Sequence, residues 1–344
     1  MSQNYKVEKQ KKHFNWEAFK KYFRTLYSND GAFQVGLGSK WYIAVIVALV
    51  SIIISVIPLT VHAATSAGSQ FVNSTYIYNY DEGFYSFLED ANSKGYSITF
   101  DNSTQSAKLS GITLSSSNNY LLYEHTTTAD DKHTTSRVDF QVFYLSEDAN
   151  FSTTLSTIAA LGVNSTSGRD ASYMVFSNKY FASALYKSGT YTSVGGVNGD
   201  YAHLSSEITS LKYFYVSSNA TRNENSTASL NLFKGFMDQV YINNRSTYTW
   251  LQLGIITAVN SSITLLMGLV LFLMTRGKNN PNRIIKFQQC FNVAYWTALT
   301  PALLAMILGF IFSGYEIMLY VIIYGFRVMW LSMKTLSPTG PTTK

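Results

Sequence analysis

The sequence predicts a membrane protein: a four-helix transmembrane bundle, N-in and C-in, with a mixed α+β extracytoplasmic domain inserted between the first and second spans. Three observations carry this. Four apolar runs, at residues 41–64, 250–275, 289–312 and 317–333, are each long enough to cross a bilayer. Only 13% of the 344 residues are charged, about half the share in a typical soluble domain. The sign of the charge also changes along the chain. Residues 1–40 hold eight Lys/Arg against Glu8, Glu17 and Asp30, whereas residues 65–248 hold eleven basic and sixteen acidic side chains. The other cations, Arg276, Lys278, Arg283, Lys286, Arg327, Lys334 and Lys344, lie near the later apolar runs. A net charge of +6 raises nucleic acid as a partner, but cations flanking apolar runs are explained by membrane topology, and no nucleic acid is expected.

Residues 1–40 form a cytoplasmic basic segment. Within it Trp16, Phe19, Phe23 and Leu26 recur so that they share one helical face, at about 100° per residue, while Glu17, Lys20, Lys21 and Arg24 fall on the other. This is the pattern of an interfacial helix, its aromatics (Trp16, Phe19, Phe23) in the headgroup region and its cations (Lys20, Arg24) on an anionic inner leaflet. A soluble helix packed on the bundle is the alternative. Gly36-Leu37-Gly38-Ser39-Lys40 has the wrong order for a phosphate loop and reads as a flexible hinge. The first span, 41–64, starts at Trp41 and Tyr42; Val61-His62-Ala63 imitates a cleavage site, but the long charged region before it favours an uncleaved anchor.

Residues 65–248 are rich in Ser, Thr, Asn, Gly and Tyr and contain no long apolar run. Alternation predicts strands at Arg137–Tyr144 and Leu211–Val216, with weaker ones at Tyr96–Asp101 and Ser172–Phe176; helices are expected at Phe84–Asn92, Thr154–Leu161 and Leu230–Tyr241. Asn-x-Ser/Thr triplets begin at Asn73, Asn102, Asn150, Asn164, Asn219, Asn225 and Asn244. The domain has no cysteine, which is unusual for an animal secretory domain and fits a Gram-positive surface, where the triplets stay bare.

The second span, 250–275, is followed by a basic loop at 276–288, which the positive-inside rule places in the cytoplasm. The third, 289–312, carries Pro301 and is expected to kink; a turn at Ser313–Glu316 leads to the fourth, 317–333, and to a cytoplasmic tail at 334–344. Arg327 lies near the inner end of the last span, from which it can snorkel to the interface. Counting about 1.5 Å per residue puts Asn260, Ser261, Thr300, Pro301 and Tyr324 near the bilayer midplane. Such a patch reads either as a substrate or gating site or as hydrogen-bonding glue between helices. Asn260 or Ser261 is expected to supply a bond that Pro301 disrupts.

His125 and His133, with Asp130 and Asp131 nearby, match no standard metal-ligand spacing, and no metal or other cofactor is expected. Cys290, the one cysteine, is expected to pack rather than react. No HExxH, GxSxG or P-loop occurs, and Glu89-Asp90 and Glu147-Asp148 are adjacent rather than spaced to converge. No enzyme is expected.

The opening that ends FRTLYS (Phe23–Ser28), the first span, the outer domain, and the closing FNVAYWTALTPALLA with its tyrosine-rich last helix together resemble a family of Gram-positive membrane proteins of unknown function, some described as maltodextrin-utilisation proteins. The resemblance covers roughly residues 15–64 and 250–334 and is carried best by Tyr295, Thr300 and Pro301. It implies a non-enzymatic protein of the cell membrane that assists or senses maltodextrin uptake, with a saccharide or a membrane partner such as an ABC transporter at the outer domain. A permease component using the midplane patch, and a surface or envelope structural protein, are the alternatives.

Overall fold

The computed structural model describes residues 16–72, 80–113, 121–127, 137–145, 171–186, 193–278, 280–312 and 314–336. The chain divides into two compact units, one made of residues 1–64 and 249–344, the other of residues 65–248.

The first unit contains α1 (Trp16–Phe23), a 3-10 turn (Arg24–Leu26), α2 (Asn29–Gly38), α3 (Trp41–Thr65), most of α6 (Ile242–Thr275), α7 (Phe287–Ile311) and α8 (Glu316–Leu331), which runs on as a π turn to Leu336. Among the described residues four helices are long and apolar enough to cross a membrane: Trp41–Thr65, Ile242–Thr275, Phe287–Ile311 and Ile317–Leu336. Ala294, Ala298, Ala302, Ala305 and Gly309 are buried along one side of α7. Small side chains at that spacing let helix backbones approach closely, and Tyr320, Tyr324 and Val328 of α8 share their core. Cys290 packs there too.

The segment 29–38 is helix, which corrects the expected hinge at 36–40. Ser28 caps it, its hydroxyl accepting from the Gly31 amide. Gly36 serves close approach: a Cβ there would sit 2.5 Å from the Cα of Val293 on α7. Phe33 is buried in the core beside Val293 and Ala294.

Among its described residues the second unit is α/β with two sheets. β1 (Ser97–Asp101) and β2 (Ser106–Ser110) form an antiparallel pair, and β3 (Leu121–Thr127), β4 (Arg137–Leu145), β5 (Ala171–Ser177), β6 (Tyr180–Tyr186) and β7 (Ser193–Asp200) form a five-stranded sheet in that order. All its pairs are antiparallel except β4 with β5. A parallel pair needs a crossover of about a dozen residues or more; residues 146–170 join these strands, and the helix expected at Thr154–Leu161 falls in them, outside the described residues.

Helices α4 (Tyr80–Lys94) and α5 (Arg222–Val240) share one hydrophobic core with β4, β5 and β6. That core is largely aromatic: Phe84 meets Phe233 at 4.3 Å between ring centroids, and Phe181 meets Phe236 edge-on at 5.1 Å. Thr221 and Glu224 form the capping box that starts α5. Two expectations change. Leu211–Phe214 is a 3-10 turn, not a strand; Leu211 and Phe214, three apart, both point into the core, and a three-residue turn puts them on one side. The strand at Arg137–Leu145 is buried on both faces instead of one, because Phe143 and Leu145 join Tyr173, Val175 and Ala182 in a second cluster.

Candidate functional site

Pro301 has no amide hydrogen, so the carbonyl four residues back, at Thr297, loses its helical donor. Arg327 of α8 fills that place: its Nη1 donates to the Thr297 carbonyl at 2.9 Å. Its Nε donates to Asn29 Oδ1 at 3.2 Å, and its Nη2 to the Thr25 carbonyl. Among the described residues Arg327 forms no ion pair with a carboxylate. Its acceptors are neutral, and the Thr25 carbonyl belongs to a helix end, where unpaired carbonyls carry partial negative charge. This corrects two expectations. Arg327 binds inward to three protein acceptors instead of snorkelling, and it, not Asn260 or Ser261, serves the proline gap.

The N-terminal segment docks on α7 through further contacts. Thr300 Oγ1 donates to the Leu26 carbonyl at 2.5 Å, Asn292 Nδ2 to the Ser39 carbonyl at 3.1 Å, and Trp296 Nε1 to Ser39 Oγ at 3.2 Å. Tyr22 stacks on Trp296 with 5.4 Å between centroids. On α1 and the turn that follows it, Trp16, Phe19 and Phe23 are exposed, and so are Lys20 and Arg24.

The expected midplane set separates into distinct contacts. Asn260 Nδ2 donates to Ser55 Oγ at 2.8 Å; Thr264, one turn on, meets the Tyr320 hydroxyl at 3.0 Å. Ser261 donates to the Thr257 carbonyl of its own helix, and Tyr324 donates to the Ala294 carbonyl at 2.8 Å. No hydrogen bond joins Asn260, Thr300 and Tyr324. Thr300 and Pro301 belong with Arg327 and the N-terminal segment, Asn260 with α3. Asn260 Oδ1 is buried with no hydrogen-bond partner.

In the second unit His125 Nδ1 lies 2.7 Å from Asp139 Oδ1, and Asp139 is fully buried. The bond to Asp139 raises the His125 pKa above its ordinary 6.5, against the opposing effect of desolvation; Glu82 adds to the rise and Arg222 opposes it. Arg222 binds Glu82 and Glu89 and lies over the Tyr85 ring. Residues Asp130, Asp131 and His133 lie outside the described residues, among which no group of three His, Cys, Asp or Glu gathers to hold a metal. The triplet asparagines differ: Asn225 is buried and its amide bonds Ser218, Asn244 is half-buried and its amide donates to the Asn198 carbonyl, Asn102 and Asn219 are exposed, and Asn73, Asn150 and Asn164 lie outside the described residues.

Sequence reasoning missed Thr25, Asn29, Ser39, Ser55 and Asp139, each of which acts through a partner distant in the chain. The signal for Arg327 was present, since a cation and a proline both sat in apolar runs that form one hairpin. Comparison with family models, with curated proteins and with solved structures finds no match to this chain.

Replacing Arg327 by Leu leaves the carbonyls of Thr25 and Thr297 without these donors, and should destabilise the detergent-solubilised chain by about 1–3 kcal/mol for each acceptor left buried. Trypsin should then cut faster at Lys20, Lys21 and Arg24; an unchanged melting curve and digestion pattern would refute the assignment. For His125 the sign is that of a raised pKa. The stability it contributes is complete below its unfolded value near 6.5 and is lost as pH rises through the higher folded value. Thermal melts should therefore show a decline above pH 6.5 that is smaller in His125→Gln. A His125 proton resonance titrating at or below 6.5 contradicts this.

Proposed function

We propose that this chain is a non-enzymatic integral protein of the cell membrane, with cytoplasmic termini and an extracytoplasmic unit at 65–248, that assists or senses carbohydrate uptake, maltodextrins being its ligand class. The observation that carries the reading is the pairing of four apolar helices with a separately packed α/β unit. Such a pairing fits a receptor or accessory subunit, in which a membrane part anchors a domain that meets the ligand. The cations of the N-terminal segment and of the loop after α6 support the orientation.

The tyrosines narrow where a saccharide would bind. Tyr80, Tyr85, Tyr96, Tyr144, Tyr173 and Tyr201 are buried and serve packing, whereas Tyr180 and Tyr213 are exposed, and an exposed ring face can stack on a sugar. Calorimetry of the full chain in detergent should detect binding of maltodextrins and a weaker response after Tyr180→Ala and Tyr213→Ala together; no heat with any oligosaccharide removes the sugar-binding reading.

A second reading, a permease component with its path through the bundle, is favoured by one observation, the buried and unpartnered Oδ1 of Asn260. Under it, Asn260→Ala should reduce uptake in reconstituted vesicles at least severalfold, and unaltered uptake counts against it.

A further inference from the structure

The N-terminal segment that Arg327 holds also bounds a cavity of about 500 Å³ between α1, the 3-10 turn and α2. Lys20, Lys21 and Arg24 line it, with Glu17 as its one acidic residue and Gln34 as a neutral polar group. The charge is thus three cations against one anion. None of the three cations forms an ion pair with a described carboxylate. Gly31 helps shape the cavity, since a Cβ there would come within 2.9 Å of both Cγ and the carbonyl oxygen of Arg24.

The same cavity is lined by Phe23 and Tyr27. These end a ladder of exposed rings: Trp16 to Phe19 at 5.3 Å, Phe19 to Phe23 at 5.9 Å and Phe23 to Tyr27 at 6.3 Å between centroids. Their exposures are 56, 44, 53 and 74%. Four consecutive exposed aromatics are costly in water and are at home in the interfacial layer of a membrane. A cation-lined cavity adjoining such a ladder has the two-part chemistry of a phospholipid: an anionic headgroup on one side, acyl chains on the other. A small soluble phosphate compound would match the cations and leave the ladder unused.

We propose that this cavity binds the phosphate of an anionic phospholipid headgroup, its acyl chains lying against Trp16, Phe19, Phe23 and Tyr27. Lys20 and Lys21 supply ammonium point charges, and the Arg24 guanidinium can offer two parallel N–H donors to the phosphate oxygens. The inference rests on the membrane placement of the first unit and not on any ligand of residues 65–248, so a failed sugar titration leaves it standing.

Native mass spectrometry of the full chain in detergent tests it, with phosphatidylglycerol, phosphatidylcholine and inorganic phosphate as separate probes. The expected result is retention of phosphatidylglycerol about tenfold above phosphatidylcholine, no displacement by excess inorganic phosphate, and loss of the preference in Lys20→Gln/Lys21→Gln/Arg24→Gln. The charge-conserving Lys20→Arg/Lys21→Arg/Arg24→Lys should keep it. Equal retention of the two lipids by the unsubstituted chain overturns the proposal whether or not the Gln variant folds. So does a folded Gln variant that keeps the preference. Displacement by inorganic phosphate as effective as by phosphatidylglycerol itself would assign the cavity to free phosphate and overturn the lipid assignment.

Discussion

The guanidinium of Arg327 and the proline at 301 each create a problem that the other solves. A proline in an apolar helix strands the carbonyl one turn back, and water is not at hand among apolar helices to pair with it. An arginine in the same surroundings needs acceptors for its donors or it costs several kcal/mol. Placed opposite one another in the α7–α8 hairpin, Arg327 serves Thr297 and still has donors to spare. Those go to Thr25 and Asn29, so the gap left by the proline becomes the point at which the N-terminal segment is fastened to the bundle.

From that attachment follows the character of residues 16–40. Tyr22, Leu26 and Ser39 are committed to α7, Gly36 lets α2 lie against Val293, and Thr25 is buried. Trp16, Phe19 and Phe23 keep about half of their surface exposed. The segment is therefore a packed part of the first unit that also carries exposed aromatic rings and cations. The aromatic wealth of the second unit has a different meaning. Most of its described phenylalanines, with Tyr80, Tyr96, Tyr144 and Tyr201, fill one core between α4, α5 and the larger sheet, while Asp139 holds His125 and Arg222 gathers Glu82 and Glu89.

The four apolar runs, the polar unit between the first two, the helices around Phe84 and Leu230 and the inward face of the strand at Arg137 were legible in the sequence, because hydropathy and periodicity are properties of neighbouring residues. Where an expectation failed, distant residues had decided. Leu211–Val216 alternates like a strand, but its core contacts come at a spacing of three. Asp139 and Gln141 fall on the outward side of the alternation and are nevertheless buried, on the same face as Phe143 and Leu145 of a second apolar cluster. The pairing of His125 with Asp139 depends on the β3–β4 register and its irregularity after His125, which no composition reveals. Counting residues placed Asn260 and Thr300 at a common depth, yet their partners are Ser55 and Leu26, on different parts of the chain.

By itself, then, the sequence determined which stretches are apolar enough to cross a membrane and which stretch forms a separate polar unit, since transfer from water depends on composition over some twenty residues. Tertiary structure alone decided which polar group pairs with which. A hydrogen bond needs two atoms within about 3 Å in a set direction, and the distance between Arg327 and Thr25, some 300 positions apart, is fixed only when α8 and the N-terminal segment pack on the same side of α7.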